Sequence, residues 1–83
     1  MIATELIEEI NLLLQFDLSS SQVGLKIHST ADASVIAAAQ RLYEKGLTDH
    51  VDGGYLTSLG RESAEYLQRS MTILTSKPEL PVT

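Results

Sequence analysis

Apolar residues at the start of the chain follow a helical period. Leu6, Ile10, Leu13 and Leu14 stand at i, i+4, i+7 and i+8, the spacing of one helix face. Glu5, Glu8 and Glu9 crowd the first turns, where the helix dipole favours acids. The pattern predicts a helix from about Thr4 to Gln15. Its apolar surface is wide, because Ile2 and Ile7 flank the stripe and Leu12 and Phe16 lie round the other side. One packing partner leaves part of that surface uncovered.

Further on, Ser19 and Gln22 have the Ser-x-x-Gln spacing of a capping box. The stretch that follows, VGLKIH, reads two ways: Val23, Leu25 and Ile27 alternate like a strand, while Val23 and Ile27 also stack at i, i+4 on a helix that Gly24 weakens. From Ala31 to Lys45 the pattern is helical, with Val35, Ala39, Leu42 and Tyr43 on the period and Gly46 placed as a left-handed stop. LTDHV and YLT are short strand-like runs joined through Asp52, Gly53 and Gly54, which is hairpin chemistry. Thr57 or Ser58 can cap a last helix whose apolar set is Leu59, Tyr66, Leu67, Met71, Ile73 and Leu74, with Glu65 and Arg69 paired at i, i+4. That helix ends before Pro78. The expected organisation is a single domain over 1–76 and a flexible, aperiodic tail over 77–83 that holds both prolines.

Length and composition narrow the classes. The 83 residues make one domain, and 43% hydrophobic with 20% charged residues is ordinary for a globular chain. With Cys 0 there is no disulfide framework, thiolate nucleophile or cysteine zinc site, so a cytoplasmic protein is expected. The opening MIATELIEEI has acids where a signal peptide needs bases, and no apolar run reaches the length of a membrane span. The formal charge of −5, from Lys+Arg 6 against Asp+Glu 11, repels polyanions unless the bases gather on one face.

The segments RLYEKGL, DGGYLT and LGRE, within Ala39 to Leu67, resemble the helix end, wing and following helix start of bacterial winged-helix regulators. Nearly the whole chain also resembles a small family of bacterial proteins of similar length, some labelled DNA-binding proteins or transcriptional regulators. The resemblance implies a mainly α fold with a small β-hairpin, a winged helix-turn-helix-like three-helix core plus a C-terminal helix. It tips VGLKIH towards a short helix: Ser20 to His28 becomes the first helix of the helix-turn-helix, Ser29 to Ala31 the turn, and Asp32 to Lys45 the recognition helix.

Placing Val35, Ala39 and Leu42 inward leaves Ala33, Ser34, Ala37, Gln40, Arg41 and Glu44 on the outer face of the recognition helix. Gln40 and Arg41 can read base edges and Ser34 is a weaker reader, while Lys26, Arg41 and Lys45 could form a phosphate-binding strip on double-stranded DNA. Ala33, Ala37 and Ala38 suit either a deep seat in the groove or the close approach of a protein helix. Asp49, His50 and Asp52 make the wing acidic where a DNA-touching wing carries bases.

The expected function is that of a bacterial DNA-binding or transcription-associated protein, as a dimer. The rival reading is a protein-interaction module on the same frame, with Leu12, Phe16, Met71, Ile73 and Leu74 as a surplus apolar surface for a partner; the milder use of the same residues is to pair the first and last helices within a monomer or across a homodimer. No enzyme is expected, since the serines of SSS lack a base and there is no glycine-rich phosphate loop. Neither a cofactor nor a metal is expected, because the pairs His28 with Asp32 and Asp49 with His50 lack a third ligand.

Overall fold

Periodicity places the three longer elements well. A computed structural model, which describes residues 1–20 and 22–76, has the order α1 (Thr4–Leu13), β1 (Leu25–Lys26), α2 (Ala33–Glu44), β2 (Thr48–His50), β3 (Gly53–Leu56) and α3 (Ser58–Thr75). The architecture is mainly α with a small β-hairpin, in a winged-helix-like layout. The expected tail, 77–83, lies outside the described residues.

The α1–α2 pair holds the core. Leu12, Leu13, Ala38, Ala39 and Leu42 are buried together, with Leu25, Ile27, Val35, Leu47, Leu56 and Leu67 packed around them. Ala38 and Ala39 are small enough to let the α1 side chains approach the α2 backbone, so of the two uses open to the alanines, Ala38 serves helix packing within the chain.

α1 is rotated from the expected orientation. Glu9, Leu12 and Leu13 are its buried residues, Phe16 just beyond it is also buried, and Leu6 and Ile7 are exposed. The face i, i+3, i+4, i+7 starting at Glu9 carries the bulk that fills the space beside α2. Leu12 and Phe16 are therefore core residues, and the expected interaction surface loses them. Met71, Ile73 and Leu74 remain exposed.

Among the described residues, the short helix expected over Ser20 to His28 does not form. The side chain of Asp17 accepts from the Ser19 amide at 2.9 Å and from its hydroxyl at 2.6 Å, and the Ser20 hydroxyl accepts from the Gln22 amide at 3.2 Å. These local bonds satisfy the backbone as turns in place of a helix cap. The alternation of Val23, Leu25 and Ile27 then resolves as strand. β1 pairs antiparallel with β3 through Leu25 with Gly54 and Lys26 with Gly53, and the Ile27 amide donates to the Asp52 carbonyl at 2.8 Å. The sheet order is β1-β3-β2. α2 thus stands without the preceding helix of a helix-turn-helix pair.

The hairpin turns at Val51 and Asp52, and Gly53 and Gly54 belong to β3. A Cβ on Gly53 would lie 2.3 Å from the Leu25 carbonyl oxygen, and its φ of 115° suits glycine alone, so the glycine admits β1 to the sheet. A register shift between Thr48 and His50 makes a bulge.

Gly46, at φ 77°, ends α2 as expected. Thr57 caps α3, its hydroxyl accepting from the Gly60 amide at 3.0 Å and donating to the Gly46 carbonyl at 2.6 Å. One side chain therefore ties the end of α2 to the start of α3. The expected Glu65–Arg69 ion pair does not form among the described residues.

Candidate functional site

The packing of α1 on α2 engages two of the candidate cations. Glu9 is only 4% exposed, and a buried carboxylate needs charged or hydrogen-bonding partners. Arg41 Nε donates to Glu9 Oε2 at 2.8 Å, and Lys45 Nζ donates to Glu9 Oε1. Arg41 Nη2 also donates to the Glu5 carbonyl at 3.1 Å and lies 3.6 Å from Glu8 Oε1. Burial pushes the Glu9 carboxyl up, but the hydrogen bonds and charges of Lys45 and Arg41 outweigh it and hold the group below its ordinary value.

Lys26 has a separate partner. Its Nζ donates to Asp52 Oδ2 across the β1–hairpin junction, and that bond lowers the Asp52 carboxyl from its usual range. The proposed phosphate strip is therefore divided: Arg41 and Lys45 turn towards α1, while Lys26 sits at the hairpin. Ser34 and Gln40 are exposed on α2, and Gln40 Nε2 donates to Glu44 Oε2 on the same helix at 3.4 Å. Arg41, placed on the outer face by sequence projection, is half-buried against α1.

Beside Lys26 the fold leaves a cavity of about 430 Å³. Ile27, Ile36, Ala39 and Val51 supply its apolar lining, and Lys26, His28, Ser29, Gln40 and Asp52 its polar one. Ile36 is 38% exposed and Val51 52% exposed, so the apolar wall continues onto the surface between α2 and the hairpin. The hairpin itself is stitched by Asp49, whose Oδ1 accepts from the Tyr55 amide at 2.8 Å and lies 2.7 Å from His50 Nδ1. These two contacts, the Tyr55 amide first, keep its carboxyl below the usual range. Asp49 completes hydrogen bonding at the bulge, a structural task for a residue first weighed as a metal ligand.

Sequence reasoning missed Glu9, Ile36 and Val51. Glu9 carries a legible signal: it stands three, four and seven residues before Leu12, Leu13 and Phe16, on their own face. Ile36 and Val51 carry none, since each is a single apolar residue outside a stripe. Among the described residues no group of three His, Cys, Asp or Glu side chains is placed to hold a metal ion, and no buried side-chain polar atom lacks a partner. No described helix is long and apolar enough to cross a membrane.

The model of a family of unknown function, DUF5669, matches residues 1–75, and the chain belongs to that family. No curated protein and no solved structure gives a significant match.

Proposed function

We propose that the chain is a protein-interaction module on a winged-helix frame, with the groove between α2 and the hairpin as the surface that receives an apolar segment of another protein. The carrying observation is the fate of the cations. Arg41 and Lys45 both neutralise the buried Glu9 carboxylate, so recruiting them to phosphates would leave a charge stranded inside the protein. Lys26 is matched by Asp52, and the net charge of −5 opposes a polyanion.

The groove has the chemistry that a protein segment needs. Ile36, Val51 and Ile27 offer apolar contact, and Gln40, Ser29 and His28 offer hydrogen bonds at its edge. A single DNA-reading face would need Lys26 beside Arg41 and Lys45, and the ion pairs point them apart. With Cys 0 the composition suits a reducing compartment, and the module is assigned to the cytoplasm.

The test is affinity capture from the source cells with the wild-type chain, Ile36→Asp and Val51→Asp, each washed at low and high salt. The proposal expects a defined protein retained by the wild type in high salt and lost by both groove variants. Loss of the protein in high salt, or its equal retention by the groove variants, contradicts it.

A further inference from the structure

The face of α3 turned away from the body carries an apolar stripe without a partner among the described residues. Leu59, Tyr66 and Ile73 recur at i, i+7 and i+14 and are 56%, 67% and 68% exposed. Ser63 and Ser70 fall between them, giving the alternating four and three spacing of a two-stranded coiled-coil seam. Gly60 and Ala64, each about 100° round the helix from the seam residue before it, are buried against the domain, and Ser63 at the seam's near side is half-buried. The large seam residues therefore point where a second helix can reach them.

The stripe complements itself when that second helix is another α3 running antiparallel. Large then meets small: Leu59 faces the second copy's Ser70, and Tyr66 faces the second copy's Ser63, each contact repeated by two-fold symmetry. A serine hydroxyl on a helix can return its hydrogen bond to the carbonyl one turn back, so these small positions do not strand a polar group when the seam closes. The same register sets Glu62 opposite the second copy's Arg69 on the seam's open edge. Neither Glu62 nor Arg69 has an ion-pair partner among the described residues. A parallel pair would instead stack Tyr66 on itself and turn Glu62 and Arg69 towards Leu67 and Leu74, leaving both charges unmatched.

We propose that α3 pairs antiparallel with α3 of a second copy, closing a two-fold dimer along Leu59, Ser63, Tyr66 and Ser70 with two Glu62–Arg69 ion pairs at its edge. This seam is separate from the α2–hairpin groove and stands whether or not that groove takes a partner. One helix face with serines at its small positions falls at the low end of interface sizes, so the expected dissociation constant is on the order of 100 μM.

Sedimentation equilibrium on the full chain tests it, with circular dichroism checking that each variant keeps its helix content. Tyr66→Glu, on an exposed side chain, weakens association about a hundredfold. Arg69→Glu weakens it about fivefold, and adding Glu62→Arg to that variant restores it. A wild-type chain that stays monomeric at about 1 mM overturns the dimer. A Tyr66→Glu chain that dimerises like the wild type removes the seam, and a double reversal no tighter than Arg69→Glu alone removes the antiparallel register.

Discussion

Glu9 decides what Arg41 and Lys45 can do. Its lowered carboxyl gives a signed prediction, because a group whose folded pKa lies below its unfolded value stabilises the fold above the ordinary glutamate range and loses that contribution as pH falls through the folded value. The wild type's resistance to urea should fall over that acid interval, and that of Glu9→Gln should fall less steeply there while being lower at neutral pH. Replacing Arg41 by Met should lower the neutral-pH urea midpoint clearly, since it uncovers a buried charge. Lys26→Met should leave the midpoint nearly unchanged, because the Lys26–Asp52 pair is exposed to water and screened. Equal effects from the two substitutions would mean that the Glu9 clamp is no more than surface charge. At this scale the sequence was partly legible: Glu9 stood on the buried face, yet its position near the helix start gave it a plausible task as a dipole-matching acid.

The elements differ in how openly they are written. α2 and α3 combine sustained periodicity with a stop at Gly46 and a cap at Thr57, so both were readable within a residue or two. The segment over 17–28 was not, because Ser and Asp side chains that cap a helix also close turns, and only pairing with β3 separates the two outcomes. Gly53 and Gly54 were legible as hairpin residues but not as members of β3, since their purpose is the close passage of β1. Gly60 is the sharpest structural test. A Cβ there would lie 1.8 Å from the Leu47 carbonyl oxygen, a backbone atom with little room to yield. Gly60→Ala should therefore lower unfolding stability by about 2 kcal/mol or more, despite the better helix propensity of alanine. Thermal melts that show Gly60→Ala as stable as the wild type would contradict the docking of α3 on Leu47.

For the whole molecule, charge and exposed apolar surface point the same way. The extents of 50 × 30 × 21 Å describe an elongated body, and the outward side of α3 adds Tyr66, Ile73 and Leu74 to the surface. A domain of this size gains stability by covering such a stripe. The winged-helix-like layout was legible from the helix end, hairpin and following helix start, but the layout does not fix the partner. What the sequence concealed was three-dimensional: Lys26, Arg41 and Lys45 were expected to form one strip, and their acidic partners come from residues distant along the chain. Titration of the full chain with mixed-sequence double-stranded DNA at low salt, followed through the amides of α2 and the hairpin by NMR, tests this account most directly. It predicts no shifts at Ser34, Gln40, Arg41 or Lys45; saturable shifts at those residues that fade as salt rises would contradict it and show that the Glu9 clamp yields its cations to phosphate.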